Sequence, residues 1–138
     1  MAKLVPLFPA QVQQAAFVPK PADVPTLLET AADRARRGIR GAMATVLSRK
    51  GSAPATPGQK LYAAADGTCL GTVGGGAIER EVITALERVV RDGEDEHRVL
   101  TCKLGPELGM CCGGSVELLI EPLLGSTPCL IVGGGHVA

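Results

Sequence analysis

Hydrophobic residues recur at helical spacing in two segments of the chain. The first segment follows Asp23, which can cap a helix, and it ends before Gly38. Its apolar positions share one helical face and are Val24, Leu27, Leu28, Ala31 and Ala35. The second segment runs from about Ala77 to Asp92. Its apolar face consists of Ile78, Val82, Ala85, Leu86 and Val89. The pattern therefore predicts two amphipathic helices.

Short apolar and partly β-branched runs predict β-strands in the rest of the chain. The predicted strands cover residues 42–48, 60–64, 68–73, 98–102, 116–121 and 128–132. Asp66-Gly67 supplies the turn of a β-hairpin between the second and third strands. Connections of both hairpin and crossover type imply a mixed β-sheet that carries two main helices, which is an α+β fold.

The composition excludes several classes of protein. Lysine and arginine total 14 and aspartate and glutamate total 14, so the formal net charge is 0, which argues against a nucleic-acid partner. One tyrosine and two phenylalanines cannot form a platform for stacked bases. Pro6 and Pro9 interrupt the segment in which a secretory signal would lie, and no later run approaches the roughly 18 apolar residues of a membrane helix. We therefore expect a cytoplasmic protein without membrane insertion.

A run of three glycines, Gly74, Gly75 and Gly76, joins a predicted strand to the second helix. Glycine lets the backbone approach a ligand closely, and a helix start offers unpaired N–H groups and partial positive charge that suit a phosphate. The alternative is that these glycines only make a tight turn. Glu79 lies in the first turn of the helix, where a carboxylate either joins this site or simply interacts favourably with the helix dipole.

The segment from Arg49 to Lys60, between the first two strands, is a second candidate site, and Gly51, Ser52 and Lys60 are its candidate binding residues. It offers a hydroxyl, backbone N–H groups and basic side chains on a constrained segment, and it could hold an anion against the helix start. The alternative is a solvated connection without a ligand, because charged loops usually face water.

A third candidate is the segment Cys112-Gly113-Gly114, whose glycines would leave a thiol accessible. A thiolate is a soft ligand that suits sulfur transfer or a soft metal centre, and Cys111 could share this role. The alternative is that these cysteines are small buried hydrophobes. That buried role is our prediction for the cysteines within apolar strands, which are Cys69, Cys102 and Cys129.

Gly133, Gly135 and Ala138 have the spacing of a dinucleotide-binding fingerprint after a strand. The fingerprint also requires a following helix and a later acidic residue, which the sequence does not include. We therefore expect an extended N-terminal arm over residues 1–22, one domain over residues 23–124 and the start of a truncated Rossmann-type domain over residues 125–138.

Taken in their order, these motifs resemble the XdhC/CoxI family, the accessory proteins of molybdenum-containing xanthine dehydrogenases and related hydroxylases. The matching motifs are Ala44-Thr45-Val46, Gly51-Ser52-x-Pro54-x-x-x-Gly58-x-Lys60, Asp66-Gly67, Gly71-Thr72-Val73-Gly74-Gly75-Gly76-x-x-Glu79, Cys112-Gly113-Gly114 and Glu121-Pro122. Residues 133–138 resemble the opening of the family's second, Rossmann-type domain.

The resemblance implies a binding and delivery protein and not a turnover enzyme. Such a chaperone holds the molybdenum cofactor, molybdopterin, as cargo for sulfuration by a cysteine desulfurase and for insertion into a xanthine dehydrogenase-type molybdenum hydroxylase. A homodimer is a further possible assembly. The residues expected to bind the cofactor are Gly51, Ser52, Lys60, Gly74, Gly75, Gly76, Glu79, Cys112, Gly113 and Gly114. Among them, Cys112 is expected to face the metal.

Two features depart from the family pattern. Ala55 stands where the family loop usually has an arginine, so a planar cationic donor is lost whose geometry Lys60 cannot reproduce. The Rossmann-type half is missing beyond Ala138, which predicts a fragment, a split-gene product or an inactive chain. The alternatives to a cofactor chaperone are a truncated non-functional or structural fragment, and an NAD(P)-dependent oxidoreductase that uses the terminal glycine motif.

Overall fold

The computed structural model describes residues 16–105 and 113–125. Within them the elements are α1 (Val24–Arg36), β1 (Gly41–Lys50), β2 (Lys60–Ala64), β3 (Cys69–Gly71), α2 (Gly76–Glu87), β4 (Arg98–Leu104) and β5 (Gly114–Leu123). A π-helical turn, Arg88–Asp92, continues α2. The α+β class with two main helices is confirmed. Neither helix of the described chain has the length and apolar character needed to span a bilayer. The strand predicted over residues 128–132 lies outside the described residues.

The five described strands form one sheet in the order β3-β2-β1-β5-β4. Every pair of neighbouring strands in this sheet is antiparallel, because the connections β1–β2, β2–β3 and β4–β5 each reverse the chain. The sequence predicted a mixed sheet, whereas the five described strands pair only antiparallel, because the crossover through α2 joins β3 and β4 at opposite edges of the sheet. Among the described residues, parallel pairing is confined to one bridge between Lys20 and Leu70.

The described part of the N-terminal arm lies along β3. The backbone N–H of Lys20 donates to the carbonyl oxygen of Cys69 at 3.0 Å, and the N–H of Gly71 donates to the carbonyl oxygen of Lys20 at 2.9 Å. Phe17 is buried in the core, and its ring centroid lies 5.2 Å from the guanidinium carbon of Arg91. The arm therefore contributes both a strand bridge and an aromatic side chain to the folded domain.

Both faces of the sheet are covered by a helix and carry a hydrophobic core. On one face, α2 packs its apolar side against alternate residues of β1, β2 and β5. On the other face, α1 packs Leu27 and Ala31 against Met43, Tyr62 and Ala64. We call these the α2 face and the α1 face. Since successive side chains of a strand point to opposite faces, the position of a residue along its strand determines which face it can serve.

Two arginines hold the C-terminal end of α2 through its backbone carbonyl groups. Arg40 Nε donates to the carbonyl oxygen of Val89 at 2.7 Å, and Arg98 Nη2 donates to that of Ala85 at 3.4 Å. Both guanidinium groups also form ion pairs with the acidic segment 94–95. Cations at a helix C-terminus satisfy the last carbonyl groups and complement the helix dipole. These contacts fix α2 from one end and thereby fix the position of its N-terminus.

The turn between β2 and β3 contains a carboxylate that ties the hairpin to α1. Asp66 accepts a hydrogen bond from the backbone N–H of Thr68 at 3.0 Å and one from Nε of Arg34 at 2.9 Å. Partial burial opposes the ionisation of this carboxyl group, but the hydrogen bonds outweigh it and hold the pKa of Asp66 below its ordinary value of 3.8. The charged form of Asp66 therefore stabilises the folded state.

Asp66→Asn is expected to lower the free energy of unfolding at pH 7 by about 0.5–1 kcal/mol, because asparagine keeps the turn but loses the ion pair. A carboxyl group with a depressed pKa stabilises the fold above the pKa of the unfolded chain, and this contribution is lost as the pH falls through the folded pKa. In urea denaturation, the difference between wild type and variant should therefore be full at pH 7 and shrink below about pH 4.

The matched control for this prediction is Glu96→Gln, which removes an exposed carboxylate for which the described residues provide no ion pair. It should leave the free energy of unfolding nearly unchanged at both pH values. A difference between Asp66→Asn and wild type that stays constant down to about pH 3 would show that the charge of Asp66 contributes nothing.

Candidate functional site

Three segments that contain candidate residues meet at one end of the sheet. Antiparallel pairing places the end of β1 beside the start of β5, and the start of β2 beside the end of β3. The loop 51–59 crosses this end between β1 and β2, and the turn 72–75 leads from β3 into α2. The third segment, the lead-in to β5, consists of Gly113 and of Gly114, the first residue of β5. We call this end of the sheet, with these three segments, the glycine end.

Gly51 and Gly114 allow the loop to pack against the lead-in to β5. A methyl group at Gly51 would lie 2.8 Å from the carbonyl oxygen of Gly113 and 3.1 Å from the Cα of Gly114. A methyl group at Gly114 would lie 2.6 Å from the carbonyl oxygen of Lys50. Because a Cβ atom does not fit at these distances, both positions require glycine. The fold thus brings two candidate residues from distant parts of the sequence into contact.

The middle of the same loop contacts the glycine turn. A methyl group at Gly74 would lie 3.0 Å from the backbone nitrogen and 3.1 Å from the Cα of Ala55. Ala53 and Ala55 are buried and belong to the core on the α2 face. Ala55, where the family pattern has an arginine, is 0% exposed. Its small side chain therefore allows the loop and the turn to pack closely.

Three other candidate glycines face open space. Methyl groups at Gly75, Gly76 and Gly113 would meet no described heavy atom within 4 Å. Gly76, Gly113 and the side chain of Ser52 are exposed. A ligand could therefore approach the backbone at these glycines, whereas Gly51, Gly74 and Gly114 serve the packing of the loops.

The carboxylate of Glu79 binds the glycine turn from within the protein. Its Oε2 atom accepts hydrogen bonds from Thr72 Oγ1 at 2.7 Å, from the backbone N–H of Gly75 at 3.2 Å and from that of Val73 at 3.3 Å. The N–H of Gly74 donates to Thr72 Oγ1 at 3.3 Å. Three successive amides are thus satisfied internally. Among the roles considered for Glu79, this geometry favours a local structural one, and it leaves only the first amides of α2 for a ligand.

Lys60 lies on the α1 face, away from the loop residues that pack on the α2 face. It pairs directly with Thr45, and its Nζ donates to Oγ1 of Thr45 at 2.9 Å. Tyr62, two residues further along β2, belongs to the core under α1. Since alternate residues of a strand share a face, the side chain of Lys60 points to that side of the sheet. This placement does not favour the predicted role of Lys60 in binding the cofactor.

Arg49 begins the candidate segment and lies at the glycine end, although the sequence analysis did not list it among the expected binding residues. A β-bulge shifts the register of β1 against β5 between Val46 and Ser48, so the residues that follow change faces. Arg49 pairs with Val116, which is buried on the α2 face, and its Nη1 donates to the carbonyl oxygen of Ala53 at 3.0 Å. A guanidinium group therefore lies against the loop.

Two cysteines are described, and both are buried free thiols, as predicted. Burial raises the pKa of Cys69 and that of Cys102 to about 12, so both thiols stay protonated and unreactive at neutral pH. Residues 16–105 and 113–125 contain no group of three or more His, Cys, Asp or Glu that could hold a metal ion. The remaining cysteines and the terminal glycine motif lie outside the described residues. They comprise Cys111, Cys112, Cys129 and residues 133–138.

A separate cleft of about 520 Å³ lies beside the C-terminal half of α2. Its lining includes Thr84, Glu87, Arg88 and Arg91, and Arg91 pairs with Glu87 at 3.5 Å. None of the residues that line it belongs to the glycine end. The cleft carries both signs of charge and no candidate residue, so its size alone does not make it the functional site.

The part of the chain that carries the loop and the glycine turn matches a known family. A model of the XdhC and CoxI family matches residues 34–101, which include the loop 51–59 and the turn 72–75. The chain belongs to the XdhC and CoxI family. The expected family membership is therefore confirmed, on the segment in which most of the matching motifs lie.

Two longer proteins resemble this XdhC/CoxI chain. It is 33% identical over 99 residues to the uncharacterized protein YqeB of Escherichia coli K12, and the match covers 70% of this chain and 18% of YqeB. It is 27% identical to a crystal structure from Bacillus halodurans that is described as a xanthine dehydrogenase, with a TM-score of 0.56 over 70% of this chain and 29% of that one. The chain thus matches less than a third of the length of either protein.

Proposed function

We propose that this XdhC/CoxI chain is an accessory protein that binds the molybdenum cofactor as cargo. In this role it holds the cofactor while a cysteine desulfurase supplies sulfur, and it delivers the cofactor to a xanthine dehydrogenase-type molybdenum hydroxylase. Family membership and the structural similarity to a protein described as a xanthine dehydrogenase support the link to such enzymes. The chain binds and releases its ligand and does not turn it over.

The convergence of three segments at the glycine end is the observation that carries the proposal. Gly51 lies against Gly113, and Gly74 lies against Ala55 of the same loop. If these glycines only formed separate turns, their segments would not need to contact the same loop. Their arrangement around the loop 51–59 instead provides a single surface with exposed backbone, to which a ligand of the size of a pterin could bind.

The donors at this surface fit the anionic part of the cofactor. Molybdopterin carries a phosphate or a dinucleotide at one end of a pterin and a dithiolene-held molybdenum at the other. The exposed Ser52 hydroxyl and the open backbone at Gly76, the first residue of α2, offer hydrogen-bond donors of the kind that bind phosphate. The cofactor supplies the redox chemistry of the hydroxylase, and the residues of this chain bind and orient it. Cys112, which directly precedes Gly113 in sequence, is the soft ligand proposed to face the metal.

Purification of the chain from cells that synthesise the cofactor tests the proposal. Molybdopterin is expected to co-purify in proportion to the protein, and it is detected as its fluorescent oxidation product after acid and iodine treatment. The same chain from cells that cannot make the cofactor serves as the blank. A preparation that carries no cofactor, and that takes up none when isolated cofactor is added, would overturn the proposal.

Cys112→Ser is expected to lower cofactor retention or sulfur loading about tenfold, because a hydroxyl is a harder and weaker ligand than a thiolate. Retention is measured by the fluorescence assay, and sulfur loading by activation of an apo-hydroxylase. Cys111→Ser is the matched comparison, since it changes the adjacent thiol in the same way. If both quantities are unchanged in Cys112→Ser, this cysteine does not belong to the site.

A further inference from the structure

We propose that Arg49 binds the anionic end of the cofactor, so that the glycine end prefers a phosphate or pyrophosphate group. The inference rests on the proposed function, because it assigns one chemical group of the proposed ligand to one side chain. It also gives the site a positively charged side chain. The sequence analysis expected Lys60 in this role, and the family loop usually has an arginine at the position of Ala55.

The fold directs Arg49 toward the loop and directs the neighbouring lysines away from it. Arg49 is exposed, lies on the α2 face opposite Val116, and is held by its hydrogen bond to the carbonyl oxygen of Ala53. Lys50 is the next residue of β1 and therefore points to the α1 face. Lys60 is hydrogen-bonded on that same face. Of these three cations, Arg49 alone lies on the side where the loop packs.

The glycine turn needs such a cation because its own amides are already used. Glu79 accepts hydrogen bonds from the amides of Val73 and Gly75, and its negative charge repels a second anion from the turn. A phosphate at the glycine end therefore needs a positive partner outside the turn. Arg49 donates one hydrogen bond to Ala53, and a guanidinium group has five N–H donors, so further donors remain for a ligand.

The geometry of a guanidinium group matches that of a phosphate. Its planar fork can bind two oxygen atoms of one phosphate at once, and such charge-assisted pairs are stronger than neutral hydrogen bonds. The bond from Arg49 to Ala53 holds the side chain over the loop, which reduces the entropy lost when a ligand binds. Lysine at this position would keep the charge but lose the two-point contact.

Three variants test the inference: Arg49→Ala, Arg49→Lys and the matched control Lys50→Ala. In the fluorescence assay, Arg49→Ala should retain about tenfold less molybdopterin than wild type, as expected when a charge-assisted contact is lost. Arg49→Lys should fall between the two. Lys50→Ala removes an exposed cation one residue away on the other face and should retain the wild-type amount. The midpoint of thermal unfolding is measured for every variant. Midpoints close to that of wild type exclude a folding defect as the cause of lower cofactor retention.

A competition experiment with inorganic pyrophosphate identifies the group that Arg49 recognises. Pyrophosphate should reduce cofactor uptake by wild type and have a much weaker effect on Arg49→Ala. If wild type retains no cofactor, the proposed function itself fails. If wild type and Arg49→Ala retain equal amounts, or if Lys50→Ala loses as much as Arg49→Ala, the assignment of Arg49 fails while the proposed function stands.

Discussion

Gly71→Ala is expected to lower the free energy of unfolding by about 4 kcal/mol or more, a loss that few single substitutions reach. Gly71 ends β3 with φ +95, a conformation that costs other residues about 1–2 kcal/mol. Its Cβ would also lie 2.2 Å from the carbonyl oxygen of Lys60 and 2.7 Å from Cδ1 of Leu27. The first of these atoms is backbone of β2 and cannot move without disrupting the hairpin. For a domain whose total stability is about 5–15 kcal/mol, this loss removes a large share of the free energy of unfolding.

Gly67→Ala separates backbone strain from steric overlap in this prediction. Gly67 lies in the turn of the same hairpin with φ +87, and a methyl group there would meet no described atom within 4 Å. It should therefore cost only the strain, about 1–2 kcal/mol. Urea denaturation of both variants measures the difference. Equal losses would show that β3 does not approach β2 and α1 as closely as the structure places it.

Gly51→Ala is expected to reduce cofactor retention about tenfold, which corresponds to a loss of about 1.4 kcal/mol in binding free energy. The added methyl group would lie 2.8 Å from the carbonyl oxygen of Gly113, so the loop and the lead-in to β5 must separate. This separation moves Ser52, which follows Gly51, away from the open backbone at Gly113. The substitution therefore disturbs the proposed site without removing any of its donors.

Gly58→Ala is the matched control, because Gly58 lies in the same loop with φ +90 and a methyl group there would meet no described atom within 4 Å. Both substitutions strain the backbone by a similar amount, so a difference in retention reports the contact with Gly113. The fluorescence assay, with unfolding midpoints measured in parallel, gives the comparison. If Gly58→Ala loses as much cofactor as Gly51→Ala, the contact between loop and lead-in has no part in binding.

Much of the fold follows from local patterns in the sequence. The spacing of apolar residues predicts both helices, and Asp23 caps α1 as expected, since its carboxylate accepts a hydrogen bond from the N–H of Thr26 at 2.8 Å. The end of α2 was less predictable. Of the two adjacent valines at this end, the pattern assigned only Val89 to the buried face. In the structure a π-helical turn buries both Val89 and Val90. The extra residue of a π turn breaks the period on which the prediction depends.

The site was only partly predictable, because its geometry depends on tertiary pairing. The sequence identified the glycines that meet at the glycine end, since their motifs are local. It could not show that the carboxylate of Glu79 accepts hydrogen bonds from the amides of the turn, because this depends on the conformation of the side chain. Nor could it place Arg49 and Lys60. A regular strand would have pointed Arg49 away from the α2 face, and the bulge after Val46 reverses this.

Hydrogen–deuterium exchange of the cofactor-loaded and cofactor-free chain measures whether three separated segments bind one ligand together. We expect slower exchange on loading at the amides of residues 51–59, 76–78 and 113–115, with little change beside the cleft at residues 84–92. Protection of one segment without the others, or protection confined to the cleft, would contradict a shared site at this end of the sheet.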